Sequence, residues 1–522
     1  MIYVILGTTA SGKTDLAIRL AKEFSMPLIS CDAYQVYKEF ELGTACPRDE
    51  ELEEIDHHFF KDYSIDDPID VKKYQKEVRK LLDEYLEKGQ DVILSGGTFL
   101  YVRAALFSYE FPDEEENNTY DSYSDEELYE MLKNKDPELA ATLHPNNSRR
   151  VKRALINLDN NKKANKDDLK LLYPARFFAI DKSIEEVNQN IVLRCDKMFE
   201  QGLIEEVKKI VVTHKDLTTA FMAIGYKEVL NGLQENKTLE EIKQDVIVHT
   251  RQYAKRQRTF LRHQFKNLIQ LKSEEIYKLI SLDQKKKTRT IASLGKANYS
   301  KIENKKVLVC GLGGVGAIVV SSLARIGVKN IAILDKDVVE ESNLNRQMLY
   351  DIEDISKSKV DVAEQKLKEI DPLIQIKKYP LLLNEDNVKN LGHFDFIFDC
   401  IDDVKAKVAL VKYALENNID IIMCTGTARK KDSTMIKMGY LKDTGEPLAR
   451  ACKRKLVEQG IDIDKIKVIY SNEPALKKTK EILPSLPCTF DNMSATLLGD
   501  TLYVLGGYRN GIPSCSMFSF CL

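Results

Sequence analysis

The sequence predicts an α/β chain made of two doubly wound parallel-sheet domains in succession, and three observations predict it. Over residues 1–110, strand-like apolar runs alternate with amphipathic helical patterns, the mark of parallel strands joined by crossover helices. A second alternation of the same kind begins at Lys305. In each, the first strand runs into a glycine loop that opens a helix, Gly7–Thr14 in one and Gly311–Gly316 in the other. The 522 residues are too many for one core and suit two or three domains.

The first strands are Ile2–Leu6, Pro27–Cys31 and Val92–Ser95, and Val71–Lys88 is the clearest helix. Residues 112–127 are acidic and polar and read as a loop; from 124 to about 266 the pattern is mostly helical, with a helical insert expected over about 112–180. Residues 267–300 include Lys285-Lys286-Lys287, a charge run without periodicity that reads as a solvated linker. The expected division is 1–285, a linker and arm over 286–300, and 301–522. In the second domain Val307–Cys310, Ile331–Asp335, Phe394–Asp399 and Ile419–Cys424 read as strands, and Val315–Gly327 as a helix. The two glycine loops are of different types, so they do not form an internal repeat.

Composition narrows the function classes. The net charge of −3 gives no global field for nucleic acid, so local basic stretches must carry any such binding. No apolar run approaches the ~18–20 residues that span a bilayer, and Met1–Leu6 reads as a buried strand, so no membrane partner is expected. The ten cysteines include no Cys-x-x-Cys pair. They read as reduced, buried thiols of a cytoplasmic protein, and no zinc is expected.

Gly7-Thr8-Thr9-Ala10-Ser11-Gly12-Lys13-Thr14 fits the P-loop pattern at every position. Its glycines let backbone N–H groups close on phosphate oxygens, Lys13 supplies a point charge, and the Thr14 hydroxyl is placed for Mg2+. The loop alone leaves kinases and NTPases open. An NTPase usually places an acid after the third strand, but Ser95-Gly96-Gly97-Thr98 stands there. Before it come Ser30-Cys31-Asp32-Ala33-Tyr34-Gln35, Gly43-Thr44-Ala45 and His57-His58, and far downstream Ala223-Ile224-Gly225-Tyr226 and Thr250-Arg251-Gln252-Tyr253-Ala254-Lys255-Arg256-Gln257.

In order and as a group, these motifs resemble the tRNA dimethylallyltransferase family over about residues 1–285. The resemblance implies transfer of a dimethylallyl group from dimethylallyl diphosphate to the exocyclic amine of the adenine 3′ of the anticodon. It makes the P-loop a holder of the diphosphate leaving group. It makes Asp32 the acceptor of the amine proton, help worth about 10²–10⁴-fold, and Thr9 and Lys13 catalytic partners. Ala33, Tyr34, Gln35 and Thr98 fall at substrate-contact positions, and Arg149, Arg150 and Arg153 at an Arg-rich RNA segment. Arg251, Lys255 and Arg256, spaced along one helix face with Arg262, suit a phosphate backbone. Each has a plainer reading: Asp32 as a cap, the basic rows as solvated faces, and the histidine pair as fold support, since adjacent residues do not share a helix face. One departure is Met222, three before Gly225, where the family often has a polar or basic residue.

Gly311, Gly313, Gly314 and Gly316, with Asp335 after the next strand, read equally well as a dinucleotide-binding fingerprint. The residues that follow, Asp337, Asn343, Arg346, Lys359 and Asp402, favour a triphosphate that is attacked at its α-phosphate. The set resembles the ubiquitin-activating-like adenylating superfamily. Ala428–Thr434, Leu448-Ala449-Arg450 and Val468–Pro474 make it similar to tRNA threonylcarbamoyladenosine dehydratases over about 288–480. That resemblance implies ATP as co-substrate, with Asp335 on the ribose, Arg346 and Lys359 on the phosphates, and Asp402 placing Mg2+. Arg289 falls where relatives reach a neighbouring subunit, which implies a homodimer through this half, and a sulfur-relay-type protein partner is implied as well. The tail Asp491–Leu505 is roughly similar to the family's closing small-residue helix, and Arg509–Leu522 is not. The rival is a P-loop small-molecule kinase fused to a non-catalytic or NAD-binding Rossmann domain.

Overall fold

The computed structural model describes residues 1–109, 111, 120, 122–159, 169–214, 217–218, 222–265, 268–426, 430 and 432–474, with the backbone of 494–498, 501–509 and 512–521. The side chains of Arg149 and Arg153 lie outside the described residues, as do Ala428, Arg429 and Lys431.

The first sheet is formed by β1 (Ile2–Leu6), β2 (Leu28–Ser30), β3 (His57–His58), β4 (Val92–Gly96), β5 (Ala175–Ile180) and β6 (Leu268–Leu271). Their order is β3-β2-β4-β1-β5-β6, and every pairing is parallel. β1, β2 and β4 are buried at every residue. A sheet covered on both faces needs such unbroken apolar runs rather than alternation. The Val71–Glu87 helix starts on Asp70, whose side chain accepts from the Lys73 amide, and it buries Tyr74, Val78, Leu82 and Tyr85 at helical spacing.

Three expectations need correction. The insert expected over about 112–180 stops short of its end: residues 175–180 are β5, fully buried and paired with β1 from Ile2↔Ala175 to Leu6↔Ala179. A six-residue run between helices that carries Arg176 among its apolar residues does not declare itself a strand. The helices Asp125–Lys135, Pro137–Ala141 and Ser148–Asp159 form the insert proper, around Leu128, Leu132, Val151 and Leu155. Second, the Lys285–Lys287 run is no solvated linker: it lies inside one helix, Ser273–Leu294, and Lys287 is buried. Third, the tail holds a three-stranded antiparallel sheet, Ser494–Leu498, Thr501–Arg509 and Ile512–Cys521, where a helix over Asp491–Leu505 was expected.

The second main sheet contains β7 (Lys306–Cys310), β8 (Asn330–Leu334), β9 (Gln375–Tyr379), β10 (Phe396–Asp399), β11 (Asp420–Cys424), β12 (Ile436–Tyr440) and β13 (Lys467–Ser471). Its order is β12-β13-β11-β10-β7-β8-β9, parallel except for β12 against β13. The chain runs outward from β7 on one side and returns to β10 on the other, so the switch point lies between those strands, directly after which Gly311 begins its loop.

A side chain at Gly96 would collide with the Cys31 backbone, where β4 and β2 hand over to the loops of the first site. Gly96→Ala is expected to lower stability by about 1–3 kcal/mol, because the obstacle is backbone that must move; urea unfolding of the purified chain measures it.

Candidate active sites

The first loop leaves β1 at Leu6 and enters the helix Lys13–Phe24. Ala10 and Gly12 take positive φ, 59° and 88°. Glycine adopts this backbone freely, and it turns the loop so that its amides converge. Gly12 caps the helix with no side-chain hydrogen bond, so the first-turn amides are left for an anion.

Two helices brace this loop. Gln257, buried on the Leu239–Gln264 helix, accepts from the Thr9 amide at 2.7 Å and donates to the Gly97 carbonyl at 2.8 Å. Tyr253, one turn earlier, donates to the same carbonyl at 3.3 Å. From the Ile184–Glu200 helix, Arg194 donates to Thr9 Oγ1 at 3.1 Å and to the Thr44 carbonyl at 2.7 Å, and Asn190 donates to the Ala10 carbonyl at 3.0 Å. The loop is thus tied to the ends of β1 and β4 and to two helices from far along the chain.

Asp32 follows β2. Its Oδ1 accepts from the Tyr34 amide at 3.1 Å and from the Gln35 amide at 3.4 Å. The capping role is therefore real, though what it caps is a turn. Thr98 Oγ1 accepts from the Ala33 amide at 3.1 Å, and buried Gln35 donates to the Thr44 and Ala45 carbonyls at 3.3 and 3.2 Å. Half-buried Lys13 has its ammonium pKa lowered to about 8 by burial, with Asp32 opposing the shift and Arg194 adding to it. Asp32 and Arg194 therefore both lie within the electrostatic reach of Lys13. Ser95, standing where an NTPase acid would be, is buried, and its Oγ has no partner among the described residues. Met222 is exposed, and its carbonyl accepts from the Tyr34 hydroxyl at 3.0 Å.

The basic residues divide. Arg251, Lys255, Arg256 and Arg262 are exposed on the helix that buries Gln257, and Arg150 is exposed on the insert. His57 Nδ1 lies 2.9 Å from the Ile55 carbonyl and His58 Nε2 2.7 Å from the Tyr85 hydroxyl, contacts that support the fold.

In the second site, Gly311 has φ 87°, and a side chain on Gly316 would strike the Gly311 carbonyl. Asp335 pulls this loop onto β8: its carboxylate accepts from the Leu312 amide at 2.7 Å and from the Asp337 amide at 2.8 Å. Tyr350 donates to the Leu312 carbonyl at 3.0 Å. Lys359 is buried at the start of its helix, with Nζ 3.5 Å from Asp337. Arg346 donates to the Ser342 carbonyl and to Asn345 Oδ1 at 2.8 and 2.9 Å, and its backbone carbonyl stands 3.5 Å from where a Gly314 Cβ would be. Asn343 is buried and accepts from the Glu340 amide at 3.2 Å. Asp402 is exposed. Asp399, at the end of β10, is fully buried against Lys407, 3.0 Å away, which also donates to the Cys424 carbonyl at 2.7 Å.

Residues 35–264 match the IPP transferase family and residues 286–460 the ThiF family. A tRNA dimethylallyltransferase of Exiguobacterium sp. is 37% identical over 277 residues, covering 51% of this chain and 88% of that protein. Through its first half, the chain belongs to the tRNA dimethylallyltransferase family. A dimethylallyltransferase of Malacoplasma penetrans is 36% identical over 277 residues, or 51% of this chain and 90% of that protein. Among solved structures, the tRNA isopentenylpyrophosphate transferase of Bacillus halodurans is 31% identical, with a TM-score of 0.42 over 55% of this chain and 98% of that one. The tRNA N6-threonylcarbamoyladenosine dehydratase of E. coli, solved with ATP, is 26% identical, with a TM-score of 0.36 over 37% of this chain and 83% of that one.

In the dimethylallyltransferase half, the loop, Asp32–Gln35 and Thr98 come together as the motif order suggests. Arg194 and Asn190 went unassigned because they sit in an ordinary amphipathic helix. Gln257 closes the Thr250–Gln257 motif, and its spacing from the exposed row puts it on the buried face, a signal that was readable.

Gln257→Ala removes both of its hydrogen bonds, to the Thr9 amide and the Gly97 carbonyl, and kcat for prenyl transfer is expected to fall by about 10²-fold with the fold intact, as misplacement of a reacting centre does; steady-state kinetics and circular dichroism check the two parts. Because the Lys13 ammonium of the free protein loses its proton near pH 8, kcat/KM for dimethylallyl diphosphate is expected to fall as pH rises through that value. A pH profile at saturating tRNA measures it.

Proposed function

We propose that the chain is a bifunctional tRNA-modifying enzyme of the cytoplasm, with a prenyl-transferring half over 1–285 and an adenylating half over 301–522, joined through 286–300. One observation carries the first half: a single helix sets Gln257 on the phosphate loop and a row of exposed arginines and lysines on its outer face. The RNA backbone lies along Arg251, Lys255 and Arg256, and the target adenine leaves its stack to reach the loop. Its exocyclic nitrogen attacks C1 of the dimethylallyl group, the C1–O bond breaks, and diphosphate departs. Asp32 takes the amine proton. Lys13, Thr9 and the loop amides hold the leaving group, and Arg194 adds a second cation beside it. The Thr14 hydroxyl, half-buried at the helix start, fits a Mg2+ ion bound to the diphosphate, which supplies charge neutralisation.

In the second half, the carboxylate of threonylcarbamoyladenosine in tRNA attacks the α-phosphate of ATP and expels pyrophosphate. The carbamoyl oxygen then closes on the acyl carbon and releases AMP. Asp335, Asp337 and Asn343 shape the loop that receives the nucleotide. Arg346 and Lys359 hold the phosphates, and exposed Asp402 fits a Mg2+ ligand. Arg289, exposed on the Ser273–Leu294 helix, faces a second copy of the chain in this reading.

Nucleoside mass spectrometry tests both halves in one preparation, with tRNA plus dimethylallyl diphosphate, and with ATP plus threonylcarbamoylated tRNA. Asp32→Ala is expected to lower the prenylated product at least about 10²-fold and spare the cyclised one, and Arg346→Ala to do the reverse. A variant that keeps its own product refutes the role given to that residue.

A further inference from the structure

Where the two halves meet, charged side chains are buried. The Ser273–Leu294 helix packs Ile276 and Ile280 into a core with Tyr3, Ile5 and Phe178 of the first half, and that core also takes Leu373 from the second. The end of the helix gives Leu294 to the core of the second half. Between these points Lys287, buried, pairs with Asp91 beside β4, lies 3.5 Å from Asp283 and 3.8 Å from Glu303. Lys286 reaches Asp371 at 2.9 Å and the Ala324 carbonyl at 3.0 Å. Lys329 joins Asp283 to Asp371, the latter at 2.7 Å. Buried Arg176 of β5 donates to the Leu373 carbonyl at 3.3 Å. Gly89 is pressed so close to Lys296 that an added Cβ would lie 2.6 Å from its carbonyl.

A tether between independent enzymes has none of this. Lys287 and Lys329 each meet carboxylates from both sides of the junction, and separating the halves would leave charges unpaired in apolar surroundings until water entered. Asp91 also takes the Met1 ammonium at 2.9 Å and Lys329 also takes Asp371 at 2.7 Å within their own halves, but Lys329 with Asp283, Lys286 with Asp371 and Lys287 with Glu303 join the Ser273–Leu294 helix to the second half.

We propose that the two halves form one cooperative unit through this buried charge lattice, so that a ligand held by one active site stabilises the fold of the other. The stability consequence follows from linkage: a ligand that binds only the folded unit multiplies the folded population by 1 + [L]/Kd wherever in the unit it sits. The ligand arm rests on the reading of the second half as an ATP site; the junction itself does not.

Hydrogen exchange of the full chain, read by mass spectrometry in urea below the unfolding midpoint, tests it. The amides to follow are those of β1 and β4 in the first half and β7 and β10 in the second, where exchange runs through global opening. Asp371→Asn, made in the second half, is expected to speed all four strands by the same factor. Acceleration confined to β7 and β10 would overturn the proposal. Lys286→Met, at the rim of the lattice, gives the same comparison if Asp371→Asn does not fold. With ATP at a hundred times its dissociation constant, both sets should slow by about 100-fold. Slowing in β7 and β10 alone would again overturn the coupling. If ATP slows neither set, the ATP reading fails and the variants decide the coupling.

Discussion

The first active site depends on one side-chain amide. Gln257 holds the Thr9 amide with its oxygen and the Gly97 carbonyl with its nitrogen, so the phosphate loop and the end of β4 keep a fixed spacing. Both partners are backbone groups, and the Thr9 hydroxyl is held separately by Arg194. A backbone amide bound by Gln257 is also one that cannot bind phosphate, so the clamp decides which loop amides face the anion. Because the helix that carries it is also the basic one, the RNA surface and the diphosphate pocket of the proposed function meet on one helix.

The second half solves the same problem with a carboxylate. Asp335 draws the Leu312 and Asp337 amides together and so fixes the glycine loop against β8. Asp399 and Lys407, paired out of solvent, hold the ends of β10 and β11 beneath it. Buried charge of this kind is costly unless fully paired, and it recurs at the junction between the halves. At both glycine loops and at the junction, strand ends are fixed by a polar group drawn inside.

Much of this was legible in the sequence. Strands such as Ile2–Leu6 and helices such as Val71–Glu87 declared themselves through unbroken apolar runs and 3.6-residue spacing. Both glycine loops were legible because their chemistry demands contiguous residues. β5 was not, since Ala-Arg-Phe-Phe-Ala-Ile carries an arginine that only the junction explains. The lysine run at 285–287 misled for the same reason: charge normally marks solvent, and its partners Asp91 and Asp371 are remote in sequence. Arg194 and Asn190 belong to a site assembled across more than 150 residues, as the 180 and 185 positions between them and the loop attest, and no local pattern announces such a meeting.

Both proposed reactions act on the same exocyclic nitrogen of the same anticodon-loop position, and that nitrogen takes one group. In the proposed function the halves therefore serve different tRNAs, and what they share is structure rather than an intermediate. The direct measurement is mass spectrometry of anticodon-loop oligonucleotides after the purified full chain meets a mixed tRNA pool containing threonylcarbamoylated species, with dimethylallyl diphosphate and ATP together. The account predicts two products on separate oligonucleotides, one gaining a dimethylallyl group and one losing water. A pool in which either product fails to form, or a single adenine that carries both changes, would contradict it.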